Sequence, residues 1–190
     1  MRIVAGKFRG RNLVKSDHLK SLRPTTDKNR EALFNILNSA KFLAEIDFKL
    51  DGANVLDVCC GSGSVAFEAI SRGAKSVFLI DNSVEHLALA KKNSELLKVE
   101  SGVEFLRADV KNLPQNQKDF DLIFIDPPYA EDYPAIIKNL LEKNWIKKSS
   151  LIVVEFKTTS EPKFILENFE VLDARRYGKT SFVFLRKKLS

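Results

Sequence analysis

From residue 53 onward, short, mainly apolar runs alternate with amphipathic stretches, and this alternation limits the folds open to the chain. The runs are Val55-Leu56-Asp57-Val58, Val77-Phe78-Leu79-Ile80, residues 103–106, Leu122-Ile123-Phe124-Ile125 and Leu151-Ile152-Val153-Val154. Between them lie stretches with helical spacing: Val65, Ala66, Ala69 and Ile70, then residues 84–97 after a capping Ser83, then 133–143. Strands without polar alternation are buried on both faces, and helices between them are crossovers. The expected class is therefore α/β with a mostly parallel sheet. Two last runs, 169–171 and 182–185, are joined through Tyr177-Gly178-Lys179-Thr180, too short for a helical crossover, so they should pair antiparallel.

The first residues differ. Lys7, Arg9, Arg11, Lys15, Lys20 and Arg23 face a single acid, Asp17. Two short extended stretches flank Gly6-Lys7-Phe8-Arg9-Gly10, which reads as a basic hairpin. Residues 1–24 are taken as a hairpin extension and 25–190 as one domain. Pro24-Thr25-Thr26-Asp27 opens a helix that either threonine can cap, and its apolar spacing carries it to about Ile46.

Composition excludes several alternatives. No apolar run exceeds four residues, too short for a bilayer, and the first seven residues lack a signal peptide's apolar stretch, so a cytoplasmic protein is expected. The only cysteines, Cys59 and Cys60, are neighbours, and the two histidines, His18 and His86, are far apart in sequence; neither a disulfide nor a metal centre is expected. A net charge of +6 is compatible with a polyanionic partner.

Chemistry concentrates where the runs end. Asp57-Val58-Cys59-Cys60-Gly61-Ser62-Gly63-Ser64 is a strand, a tight glycine turn and a helix start. In a doubly wound sheet, ligands bind outside the carboxyl ends of the strands. Gly61, Gly63 and Ala66 fit a dinucleotide pattern, with Asp81 about twenty residues on. Asp57 argues against a pyrophosphate there, since its charge would repel one and welcome an ammonium or sulfonium. The set suits S-adenosylmethionine. Asp57 and the loop of Cys60, Gly61, Ser62 and Gly63 would lie near the methionine part. Asp81, with Asn82 beside it, would meet the ribose diol, and Asp109 with the Val110 amide the adenine edge.

Asp126-Pro127-Pro128-Tyr129 hangs from the end of a central run and is the most specific signal. The lone pair of an exocyclic amine on a base is delocalised into the ring. Two fixed acceptors, one per N–H, can turn that lone pair toward a methyl donor. Asp126 offers a carboxylate oxygen, and Pro127 a carbonyl in a segment stiffened by two proline rings. Tyr129 offers a face on which an extruded base can stack.

With these residues stated, the chain resembles the class I methyltransferases acting on exocyclic amines. More narrowly it resembles the bacterial 16S rRNA guanine-N2 methyltransferase family, the RsmD type. The segments carrying the likeness are Arg2-Ile3-Val4-Ala5-Gly6-Lys7-Phe8-Arg9-Gly10-Arg11, Leu22-Arg23-Pro24-Thr25-Thr26-Asp27 with Arg30-Glu31-Ala32-Leu33-Phe34-Asn35, the glycine loop running into residues 68–74, and 120–129. The resemblance implies a Rossmann-like, seven-stranded sheet with the last strand antiparallel, S-adenosylmethionine as cofactor, and methylation of a guanine N2 in 16S rRNA or an assembling small subunit. It implies that Lys7, Arg9, Arg11 and Arg23 contact RNA. A monomer is expected. Family members more often carry Phe and Ala at Cys59 and Cys60, and Glu at Asp81. The two cysteines are read as filler in a packed turn, and the buried position of Phe8 is preferred over base stacking.

Overall fold

The computed structural model describes residues 1–14, 26–128, 132–159 and 168–188. Seven strands build one sheet: β1 (Asn54–Val58), β2 (Ser76–Asp81), β3 (Val103–Arg107), β4 (Leu122–Ile125), β5 (Leu151–Lys157), β6 (Phe169–Tyr177) and β7 (Thr180–Lys187). Their order is β3-β2-β1-β4-β5-β7-β6. β1 through β5 run parallel, while β7 is antiparallel to both β5 and β6. β1, β4 and β5 are buried almost throughout, as their mainly apolar runs require, with Asp57 and Glu155 the buried acids among them. β3 is only partly buried: it is an edge strand, and it puts Glu104 and Arg107 into solvent.

The helices are α1 (Asp27–Ser39), α2 (Lys41–Glu45), α3 (Ser64–Ser71), α4 (Val84–Leu97) and α5 (Tyr133–Glu142). Of the two candidate caps, Thr26 does the capping, accepting from the Asn29 N–H at 3.1 Å; Thr25 and Pro24 lie outside the described residues. Ser83 caps α4 through the His86 N–H. The single helix expected to Ile46 is instead two, broken at Ala40, whose backbone is extended. Just before the break, the Ser39 hydroxyl donates to the Asn35 carbonyl at 2.7 Å, a side-chain bond that competes with the helix ladder.

Period-two alternation divides the core between the two faces of the sheet. Val55, Leu79, Phe124 and Val153 face the layer of α1, α3 and α4, while Leu56, Val58, Ile123, Ile125 and Val154 face α5 and Trp145. The hairpin joins the first layer. Ile3, Phe8 and Leu13 are buried there, each contributing about 1.5–3 kcal/mol of apolar burial. Its strands touch through an antiparallel bridge between Arg2 and Asn12. Gly6 lies so close to α3 that a Cβ there would sit 1.8 Å from the Ser71 carbonyl oxygen, and its φ of +80° suits glycine besides.

Candidate functional site

The strand order reverses between β1 and β4, which opens a crevice at their carboxyl ends. The glycine loop follows β1. Cys59, Gly61 and Gly63 all have positive φ (62°, 55° and 74°), so the chain turns through three left-handed residues within five. A Cβ on Gly63 would lie 2.6 Å from the Phe67 ring and 2.8 Å from Leu79, so the packing also demands glycine there. The left-handed Cys59 is a position the sequence reading did not foresee, because non-glycine residues rarely adopt that backbone. Cys60 is buried, and burial followed by the charge of Asp57 pushes its thiol well above the usual range. A neutral thiol is no nucleophile, in keeping with its reading as filler.

Carboxylates converge on this loop. Asp57 is 2% exposed, and its Oδ2 accepts from the Ala66 N–H of α3 at 3.2 Å. Burial above all drives its pKa up to about 7; the Ala66 bond opposes this, and the charges of Asp81 and Glu155 add to it. Glu155 is a functional candidate the sequence reading missed. Its signal was a lone acid at the end of the apolar run Leu151-Ile152-Val153-Val154. The register Ile125↔Val154 brings Glu155 level with Asp126 on the neighbouring strand.

Asp81 is buried and organises its surroundings. Oδ2 accepts from the Gly61 N–H at 2.9 Å, while Oδ1 accepts from the Ser83 N–H at 3.0 Å and lies 3.1 Å from His86 Nδ1. Of a carboxylate's four or so acceptor sites, three face protein groups. Asn82 is exposed, and its carbonyl accepts from Arg107 Nε. After β3, the exposed Asp109 closes its own turn, with Oδ1 accepting from the Lys111 N–H at 2.9 Å; Val110 is buried. Ser62 is buried, and its carbonyl accepts from Asn93 Nδ2 at 3.1 Å. The same Asn93 accepts from the Val14 N–H, so the base of the hairpin is tied to the loop.

Asp126 leaves β4 with its N–H directed to the Val58 carbonyl at 3.4 Å, which keeps it beside β1. Asp126 is half-buried, Pro127 buried and Pro128 exposed. Tyr129 and Arg23 lie outside the described residues. Lys7, Arg9 and Arg11 are exposed, with Lys7 Nζ and Arg11 Cζ each 5.3 Å from the centroid of the buried Phe8 ring. The structure does not gather these cations with the loop. The tip is fixed to the far end of α3 by bonds from the Lys7 and Phe8 N–H groups to Ser71, one helix length of about 12 Å away.

The residues around the loop fit S-adenosylmethionine. A buried carboxylate with one backbone donor and two acidic neighbours is short of positive charge, which an ammonium or sulfonium would supply and a pyrophosphate would not.

The comparisons agree with this geometry. A family model described as conserved hypothetical protein 95 matches residues 1–186. Ribosomal RNA small subunit methyltransferase D of Haemophilus influenzae is 35% identical over 192 residues, covering 96% of this chain and 91% of its own. The Escherichia coli K12 protein of the same name is 34% identical over 190 residues, covering 96% and 87%. The chain belongs to this family, the RsmD type. Its fold is the family's class I, Rossmann-like methyltransferase fold. A solved Escherichia coli structure described as a methyltransferase, yhhF, superposes with a TM-score of 0.82 at 26% identity, covering 100% of this chain and 99% of that one. A Haemophilus influenzae methylase gives 0.73 at 32%, covering 98% and 97%.

Proposed function

We propose that the chain transfers a methyl group from S-adenosylmethionine to the N2 amine of a guanine in 16S rRNA. The observation that carries the reading is the convergence of Asp57, Asp81 and Glu155 on a glycine loop, with Asp126 and Pro127 on the adjoining strand end. The names of the relatives support the rRNA substrate. A nicotinamide oxidoreductase would bring a pyrophosphate against these carboxylates and leave Asp126 and Pro127 without a role.

When bound, the cofactor supplies a methyl group on a positively charged sulfur. The chain does the rest by placement. Asp57 balances positive charge beside the loop. Asp81 meets the ribose diol through its remaining acceptor site while holding Gly61 in place. The Asp109–Val110 turn borders the adenine. The Asp126 carboxylate takes one N–H of the target amine and the Pro127 carbonyl the other, leaving the lone pair aimed across the crevice. Tyr129 stacks the extruded base. Lys7, Arg9 and Arg11 contact phosphates of an RNA large enough to reach from the crevice along α3, and Arg23 is a further RNA contact.

Asp126→Ala tests this reading. Methyl transfer should fall by about 100-fold or more while cofactor affinity, read by calorimetry, stays the same. Equal loss of both would make Asp126 a structural residue.

A further inference from the structure

The hairpin's cations lie away from the carboxyl rim of the sheet, and a separate group of cations stands on that rim at its β6–β7 end. Asp126 lies level with Glu155, Glu155 pairs with Phe182, and Phe182 pairs with Arg175. Arg175 and Arg176 on β6 and Lys179 in the turn to β7 therefore stand on the same rim as Asp126. They lie three strand spacings away, about 14 Å across the sheet. All three are exposed. Arg175 is paired with Asp173 at 2.8 Å, whereas Arg176 and Lys179 have no carboxylate partner among the described residues. Arg176 instead donates to the Gly178 carbonyl at 3.3 Å, which braces the turn. On the inner side, Asn29 Nδ2 donates to Thr180 Oγ1 at 2.9 Å and docks the start of α1 against the same turn.

A cleft of about 650 Å³ opens between α1–α2 and β6, on the face of β6 that carries Arg175 and Tyr177; Arg176 projects to the opposite face, and Lys179 stands in the turn at the rim. Lys41 and Arg175 stand against the single lining acid Asp173, which pairs with Arg175, so the cleft keeps one positive charge in excess; Asn35 and Ser39 give it amide and hydroxyl groups, and Tyr177, packed on Phe182 with centroids 6.2 Å apart, gives it an aromatic wall. Exposed cations at the rim, with neutral hydrogen-bonding groups and an aromatic face beside them, form the set that tracks a single nucleic-acid strand.

We infer that the β6–β7 turn and the α1–β6 cleft form a second RNA-binding surface, seating the strand that flanks the target guanine. This rests on the rRNA reading above and extends it to residues outside the hairpin. The competing explanation is that Arg175, Arg176 and Lys179 only guard an exposed sheet edge against pairing.

Arg176→Glu with Lys179→Glu separates the two. Binding to a 16S rRNA transcript and to small ribosomal subunits is measured against potassium chloride concentration. Arg176→Lys with Lys179→Arg serves as the charge-preserving control. Affinity near 0.1 M salt should fall about tenfold or more, and the slope of log affinity against log salt should shrink by about 0.7 per lost contact. The KM for RNA should rise while cofactor affinity and thermal midpoint hold, and the control should bind like wild type. A reversed-charge variant that matches wild type in slope and KM on both RNA probes overturns the inference and leaves the cations as edge guards. The slope needs no turnover. If the wild-type protein methylated neither probe, the proposed reaction would fail while the slope still decided the surface.

Discussion

At Asp57, burial and two neighbouring acids act against ionisation until a positive group arrives. Its folded value of about 7 lies above the ordinary 3.8, so the folded protein holds a proton there that the unfolded chain has released. Between about pH 4 and 7 the folded state binds the extra proton, and this group's contribution to stability is lost as the pH rises through that window. Asp57→Asn, neutral at every pH, should flatten the fall in urea midpoint over that window. An unchanged pH profile would mean that Asp57 is ionised in the folded protein. Cofactor binding should release a proton near pH 6.5, visible as a buffer-dependent heat in calorimetry. Asp81 belongs to the same scale. Asp81→Ala removes the acceptor for Gly61 and Ser83 as well as the proposed ribose contact, so the cofactor dissociation constant should rise at least about tenfold. No change would remove Asp81 from the ribose site. Residue identities at the strand ends were readable because each acid follows an apolar run. The Asp81–His86 contact was not, since five residues of separation across a helix start say nothing about side-chain direction.

Among the elements, the one most dependent on a single group is the hairpin. Glu68 of α3 is fully buried and accepts from the Val4 N–H at 2.8 Å and the Ala5 N–H at 3.0 Å. It also pairs with Arg72 at 2.7 Å and with the fully buried Arg30 of α1 at 3.4 Å. Arg30 in turn donates to the Arg2 carbonyl and to Asp27 at 2.9 Å. One carboxylate thus joins the hairpin, α1 and α3. Glu68→Ala would leave Arg30 buried with its fully buried counter-ion gone, and should cost roughly 3–5 kcal/mol in urea unfolding. A loss under 1 kcal/mol would show that Asp27 and the Arg2 carbonyl hold Arg30 without Glu68. The helices and strands were legible from periodicity and caps, with Ser83 the clearest case. The break at Ala40 was hidden because Ala favours helix and the competing bond comes from Ser39. The burial of Phe8 was legible from its residue type; that of Ile3 and Leu13 was hidden among basic neighbours, since sequence alone cannot tell a ribbon lying on the core from one in solvent.

Over the whole molecule, the sheet order puts the glycine loop, Asp81 and Asp126 at one crevice, with the hairpin cations Lys7, Arg9 and Arg11 and the β6–β7 cations Arg175, Arg176 and Lys179 at two other places. Strand–helix alternation made the parallel half of the sheet legible. The insertion of β7 between β5 and β6 was not, since it depends on pairing between segments that no local pattern links. Lys7, Arg9 and Arg11 lie beyond α3, so changing all three to Ala should reduce the salt slope of RNA binding without altering turnover at saturating RNA; an unchanged slope would return them to a solubility role. The most direct test is to incubate the protein with methyl-labelled S-adenosylmethionine and small ribosomal subunits from a strain lacking the modification, then digest the RNA and separate the nucleosides. Label should co-elute with N2-methylguanosine and be absent with Asp126→Ala. Label on any other nucleoside, or equal label from the variant, would contradict an amine held between the oxygens of Asp126 and Pro127.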